Sequence, residues 1–300
     1  MRQRLDWTNT VILTLFHLIA AFAIVYLAVF KASPWTIGLG VLWLSLTGVA
    51  ITGGYHRLFA HRTYRASGFL RAFYLLFGAA SVQNSALKWA ADHRQHHAHC
   101  DKPKDPYSIQ RGFWWAHIGW VLFKSGTPVD MGMVQDLNSD PLVRLQHRFY
   151  VPLALLMAGA VPAALGLLWG DPIGALLVAG ILRLVVQWHA TFCVNSVAHC
   201  LGKRPFSRRS SARDSVWTAI LTLGEGYHNF HHRFTSDYRN GVRWYHFDPT
   251  KWFVWSMAKV GLAGNLRRMA KDAIERARSA VLAEVMTPVP AAASDIGPRL

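Results

Sequence analysis

Four stretches of this chain, roughly 10–30, 35–53, 150–169 and 173–192, are apolar for about 20 residues each. A helix rises about 1.5 Å per residue, so about 20 such residues cross the hydrocarbon core of a bilayer. Short turns, Lys31–Pro34 and Gly170–Pro172, join the stretches pairwise, and they read as two helical hairpins. The 52% hydrophobic content of the 300 residues would not by itself separate a membrane protein from a soluble one. The distribution does, because long apolar runs alternate with basic, histidine-rich stretches.

Charge sets the orientation. The net charge is +16, yet only Lys31 falls in an outer turn and only Arg183 within a span. The N-terminal tail, segment 54–149 and everything after 192 are therefore expected on the cytoplasmic side, termini included. The basic surface suits anionic lipid headgroups. Charge alone is also compatible with nucleic acid, but no recognition motif accompanies it and no such partner is expected. Cys100, Cys193 and Cys200 form no CxxC pair and suggest no disulfide framework. Residues 10–30 are too long for a signal-peptide core and lack a small-residue cleavage site, so no cleavable signal is expected.

A fifth apolar run, Phe69–Trp89, carries Arg71, Gln83, Asn84 and Lys88. If it crossed the bilayer, His56 and His61 would face the opposite side from His93, His96 and His97. It is read as an interfacial or cap helix, as are the aromatic-rich runs Gly112–Lys124 and Trp252–Val260. Residues 262–284 are expected as a basic amphipathic helix carrying Arg267, Arg268 and Lys271, and Met286–Leu300 as a disordered tail. The fold class is thus all-α integral membrane: four transmembrane helices in two hairpins, with a cytosolic helical cap. Residues 1–265 form the membrane domain, with its cap in 54–149 and 193–265. Residues 266–300 form the basic helix and tail.

Fifteen histidines is a high density. Three clusters stand out: His56 and His61 at the inner end of the second span, His93-Arg-Gln-His96-His97, and His228-Asn-Phe-His231-His232. Asn195 and His199 follow the fourth span. Residues at i, i+3 and i+4 share a helix face, so each HxxHH group can aim three imidazoles at one point. His56 and His61, five apart, share a face less well. Neutral imidazole suits Fe, Zn, Cu and Ni. Nine histidines exceed one ion, which takes about six ligands, and a structural zinc would want about four, usually with cysteine. Two metals fit. His17, His99, His117, His147, His189 and His246 are isolated, and each is expected to be a packed or hydrogen-bonding residue. Arg183, mid-span, is expected to be held by backbone carbonyls.

The runs HRLFAHR, DHRQHH, NSVAH and GEGYHNFHH resemble the membrane stearoyl-CoA (delta-9 acyl-CoA) desaturases over about residues 10–265. The run from Asp237 to Lys251 is similar to the fungal members. The resemblance implies a di-iron centre held by His56, His61, His93, His96, His97, His199, His228, His231 and His232, with Asn195 reaching one metal through water. It implies that O2 and two electrons remove two neighbouring hydrogens from a long acyl chain, leaving a cis double bond and water. Zinc, without redox chemistry, would not serve. By resemblance, Gln83, Trp89 and Thr191 line a kink in a dry tunnel. Phe192 stands where the animal enzymes have tryptophan. Asn84, Asp92 and Lys124 match positions near the CoA, whereas Ala91 replaces a family arginine. The substrate is therefore a long-chain acyl-CoA, or else an acyl-lipid or acyl-carrier-protein chain. No cytochrome b5-like haem segment follows the third cluster, so electrons are expected from a separate ferredoxin or cytochrome b5-type donor. Two alternatives remain at this stage. A membrane hydroxylase shares the histidine clusters, and a non-enzymatic metal-binding membrane protein would carry zinc or labile ions.

Overall fold

A computed structural model describes residues 4–30, 33–124 and 128–287. Among the described residues, four helices are long and apolar enough to cross a membrane: α1 (Trp7–Val29), α2 (Pro34–Ala60), and two later ones, Tyr150–Trp169 and Pro172–Cys200. Between the two pairs lie α3 (Gly68–Ala79), α4 (Ala86–His99), α5 (residues 113–122) and α6 (Pro141–Arg148). The second pair is α7 (Tyr150–Trp169) and α8 (Pro172–Cys200). Then follow α9 (Val216–Leu221), α10 (His228–Arg233), α11 (Pro249–Lys259) and α12 (Lys271–Met286). The turn carrying Lys31 and the tail beyond 287 fall outside the described residues.

Local chemistry sets the helix starts. Side-chain oxygens of Asp6, Ser33, Ser67, Ser85 and Asp248 each accept a backbone N–H in the first turn of the helix they precede. Proline at the first position of α2 and α11 fits because that N–H has no helical partner. At the turn between α7 and α8, Asp171 caps α8 through the Gly174 amide. It also accepts from Tyr26 (2.7 Å) on α1 and Thr36 (2.6 Å) on α2, tying three spans at one carboxylate.

The spans divide into two classes. In α1 and α7 only 17% of the most apolar stretch is buried, against 56% in α2 and 61% in α8. The outer pair offers its side chains to lipid. The inner pair packs the core and runs past the apolar zone into the cap. Arg183 on α8 donates to the Ala179 carbonyl at 2.6 Å and to Gln187, as expected for a mid-span arginine.

Three expectations need correction. The run Phe69–Trp89 is not one helix. It breaks between α3 and α4, where Val82 and Asn84 take φ of 49° and 73°. A β-branched residue in that region is strained, and the break turns α4 back toward the inner end of α2. Twelve residues of α3 are also too short to cross a bilayer. Second, residues 262–270 are not helical. Ala263–Gly264 pairs with Arg65–Ala66 as a short antiparallel ladder, Arg267 bonds the Thr63 carbonyl, and the helix begins only at Lys271. Third, α2 does not end at Gly53. It continues to Ala60 with wider, i→i+5 bonding.

Replacing Asp171 by alanine removes a cap and two half-buried hydrogen bonds, each worth about 1 kcal/mol net. The detergent-solubilised variant is expected to melt several degrees lower with unchanged metal content, as thermal unfolding and metal analysis would show.

Candidate metal centre and its cavity

The wide-wound end of α2 answers the awkward five-residue spacing. In a helix closing with i→i+5 bonds, residues five apart come nearly into line. The His61 amide bonds the His56 carbonyl at 3.0 Å, and the two rings lie 4.8 Å apart. Such winding is rare and frequently marks functional sites. On α4, Ser85 and Gln146 anchor the first turn. On α10, Asp214 accepts the Asn229 and Phe230 amides, and the Asn229 side chain bonds the Ser207 and Ala212 carbonyls.

These elements bring nine imidazoles together in two groups. His56, His61, His93, His97 and His231 form one; His96, His199, His228 and His232 form the other. The two HxxHH segments do not each aim at one point. In each, the i, i+4 pair (His93 with His97, His228 with His232) serves one group, and the i+3 residue (His96, His231) crosses to the other. Adjacent helical residues point about 100° apart, so each HH doublet straddles the two groups.

The donor set fits metal ions. Nε2 atoms face one another at 2.8 Å (His61 to His93), 3.1 Å (His56 to His231), 3.0 Å (His97 to His231), 3.0 Å (His228 to His232) and 3.3 Å (His96 to His232). Several opposite ring nitrogens are already committed. His96 Nδ1 meets Asp105 at 2.9 Å, His56 Nδ1 meets Glu225 at 2.8 Å, and His199 Nδ1 meets the Ser211 hydroxyl at 2.7 Å. A carboxylate can only accept, so His96 carries its proton on Nδ1 and turns a bare Nε2 lone pair inward, and the Glu225 carboxylate beside His56 Nδ1 favours the same form there. His199 Nε2 is buried with no hydrogen-bond partner. Converging lone pairs repel unless a cation sits among them.

The electrostatics agree. Burial, and after it the charge of neighbouring imidazoles, holds His61, His93, His97, His228, His231 and His232 well below the usual histidine range. They are neutral and ligand-ready at pH 7. Beneath them, buried Arg57 donates to Glu225 and Asp248, both at 2.9 Å, and Asn240 donates to Glu225 at 2.7 Å. Burial works against the charge of Glu225, but His56 and Arg57 outweigh it and hold the carboxyl at about 2.

Both groups border a cavity of about 470 Å³, within the usual size of a small-molecule site. Gln83, Asn84, Trp89, Asp92, Lys124, Thr191, Phe192 and Asn195 all line it, together with His56, His93, His96 and His228. Gln83 donates to Thr191 at 3.0 Å and accepts from the Trp89 indole at 3.4 Å, so these three form one polar belt across the cavity. Ile12, Leu13, Ile51 and Leu223 add apolar lining, and Asp6, Asn9, Lys88 and Lys124 add polar lining, of which Asn9, Lys88 and Lys124 are exposed. Burial pushes the Asp92 carboxyl up to about 6. Of the isolated histidines, His147 bonds Ser85 and His246 stacks on Tyr227, in packing roles.

A model of the family described as "Fatty acid desaturase" matches residues 32–263. The chain belongs to the fatty acid desaturase family. Over 243 residues it is 46% identical to a "Probable acyl-CoA desaturase" of Schizosaccharomyces pombe, covering 80% of this chain and 51% of the relative. Over 283 residues it is 43% identical to "Acyl-CoA desaturase 1" of Saccharomyces cerevisiae, covering 92% and 54%. It is 36% identical to "Stearoyl-CoA desaturase 5" of Homo sapiens, covering 91% and 84%. The chain thus spans about half the length of the two fungal relatives. This member of the family is an integral membrane protein with two histidine groups that could each hold a metal ion.

Sequence reasoning missed the carboxylates behind the imidazoles. Glu225 sits inside the GEGYHNFHH run itself, three residues before His228. Asp105 and Asp101 follow the second cluster, and Ser211 is held by Asp101 through its amide (2.7 Å) and hydroxyl (2.6 Å). Replacing Ser211 by alanine cuts the link from Asp101 to His199 and is expected to weaken the second group's metal affinity roughly tenfold to a hundredfold. Chelator competition should then strip that group first. The depressed imidazoles also set a pH dependence for the metal-free protein. The unfolded chain takes up protons from about pH 6.5 downward while the folded groups do not. Melting temperatures of chelated protein should therefore hold above about pH 6.5 and fall below it.

Proposed function

We propose that this chain is an O2-dependent acyl-CoA desaturase that introduces a cis double bond, at the delta-9 position, into a long saturated acyl chain. The observation carrying the reading is that both imidazole groups border one cavity whose lining mixes exposed polar residues with aliphatic and aromatic ones. The relatives' names as acyl-CoA and stearoyl-CoA desaturases support the same substrate class.

Two irons are assigned, one to each histidine group, with Asn195 approaching its metal through water. Bound iron would supply the redox capacity to activate O2 that acid–base side chains lack. The protein's own part is positioning. Lys124, with Asn84 and Asp92 at the mouth, would hold the phosphate-bearing end of the substrate. The belt of Gln83, Trp89 and Thr191 would force the bend that brings one pair of methylenes to the metals. Phe192 and the aliphatic wall beyond would keep the tail dry. The cap and both termini are assigned to the cytoplasmic side on the distribution of Lys and Arg. There the basic surface suits an acidic electron donor of ferredoxin or cytochrome b5 type.

Expression in a desaturase-deficient host, followed by fatty-acid profiling, tests the reading. A cis monoene with its double bond at carbon 9 is expected, with about two irons per chain in the purified protein. An alcohol as product would point to a hydroxylase instead, and an unchanged profile with iron and a competent donor present would sink the proposal. Lys124→Ala is expected to raise KM for acyl-CoA roughly tenfold, the loss of one charged hydrogen bond, and to leave kcat nearly unchanged in steady-state assays.

A further inference from the structure

The cavity beside the imidazoles runs down between α2 and α8. Among its lining residues on these two helices, Gly48 and Gln187 stand farthest from the metal groups. Gly48 is eight residues before His56, on the order of 10 Å at helical rise. Just behind this level the Thr47 hydroxyl meets Gln187 Oε1 at 2.7 Å, and the Gln187 amide donates to Ser81 at 3.0 Å. A bonded layer thus ties α2, α8 and the α3–α4 break together there.

One side chain reaches this depth from the turn between α9 and α10. Leu223 lines the cavity, and a Cβ placed on Gly48 would overlap its Cδ1. The leucine tip therefore sits in a notch that exists because residue 48 has no side chain. Its backbone is unusual as well. Thr222 caps α9, Leu223 follows with a left-handed φ of 54°, and the Gly224 amide closes the turn on the Ala219 carbonyl at 2.7 Å. Helix ends of this form usually place glycine where Leu223 stands, because a side chain is strained there. Here glycine comes one residue later, where a Cβ would strike Asp248. The turn is also held to α2. The Thr250 hydroxyl lies 2.6 Å from the Thr52 hydroxyl and 3.4 Å from the Leu223 carbonyl, and Arg57 holds Glu225 at 2.9 Å. Strain that the surroundings enforce in this way points to function.

Resting on the desaturase reading, we propose that Leu223, seated on Gly48, is the stop that sets how long an acyl tail the cavity accepts. The reacting methylenes are fixed by the metals, so the rest of the tail has to fit between the metals and the stop. A tail one methylene too long either pushes the reacting carbons past the metals or displaces the leucine. A tail too short leaves a void and loses packing. The two residues make opposite predictions. Removing the leucine side chain deepens the cavity. Adding a methyl at Gly48 fills the notch and drives the leucine tip into the cavity, because that tip is the movable end of a side chain while α2 is backbone.

The test uses the full iron-loaded chain in lipid nanodiscs with a competent electron donor, given palmitoyl-, stearoyl- and arachidoyl-CoA in competing pairs. Leu223→Gly is expected to shift relative kcat/KM toward the longer member of each pair roughly tenfold, the worth of one methylene in an apolar pocket. Leu223→Ala keeps the strained backbone and should shift the same way, which assigns the effect to the side chain and not to a relaxed turn. Gly48→Ala should shift preference toward the shorter member. The double variant should keep most of the preference for longer chains, since Gly48→Ala acts through the leucine; simple additivity would cancel the two shifts. A length preference within about twofold of the unaltered protein in all three single variants overturns the proposal, as does a shift toward longer chains in Gly48→Ala. A second arm measures binding of the same acyl-CoAs to zinc-loaded, redox-inert protein, where the same shifts are expected in Kd. Shifted affinities with no alkene from the unaltered iron-loaded protein sink the desaturase reading and leave the stop standing. Alkene formation with an unmoved length preference does the reverse, and neither alkene nor length-dependent binding sinks both.

Discussion

Converging nitrogen lone pairs dominate this molecule. Nine imidazoles in two groups, with the ligand nitrogens of each group within 4.8 Å of one another, gain nothing from burial, because burying a polar group without a partner costs free energy. Cations between them would turn that cost into binding energy, and much of the fold around the site serves to keep the rings aimed. The buried Arg57, Glu225, Asp248 and Asn240 network acts in this way. It joins the inner end of α2 to the segments that flank α10, and removing one partner would leave an uncompensated charge in the core. Asp105, and Asp101 through Ser211, do the same for His96 and His199.

Much of this was legible in the residues. Span lengths and charge placement gave the two hairpins because bilayer thickness and the cost of buried charge leave few alternatives. The side of the ambiguous run Phe69–Trp89 followed from requiring His56 and His93 to meet, and their rings lie 4.7 Å apart. What could not be read was backbone shape. A pattern of i, i+3 and i+4 histidines says which residues share a face, but not that two metal groups would divide that face. The i→i+5 winding at Ala50–Ala60 has no signature beyond the five-residue spacing that first looked unfavourable. The break at Val82 and Asn84 lies in an apolar, helix-compatible run, where tertiary packing overrides local preference. Residues 262–270 failed for a related reason. Their composition suits a helix, but pairing with Arg65–Ala66 and the Thr63 carbonyl satisfies their backbone better.

The inner span α8 shows how one helix can serve several ends. Gln187, Thr191, Asn195 and His199 follow at intervals of four, one face running from the bilayer toward the metals. Gln187 bonds Thr47 of α2 and Ser81 at the α3–α4 break, Thr191 joins the polar belt, and His199 reaches the second metal group. An adjacent stripe, His189, Phe192 and Ser196, meets α1 and α5 instead. A tilt or rotation of α8 would thus shift the belt, the second metal group and the contacts of His189 with His17 and His117 together. That coupling explains why α8 is fastened at its outer end by Asp171, which caps it and holds α1 and α2 at the same point. A single carboxylate on the far side of the bilayer thereby helps fix the rotation of the helix on which the proposed chemistry depends.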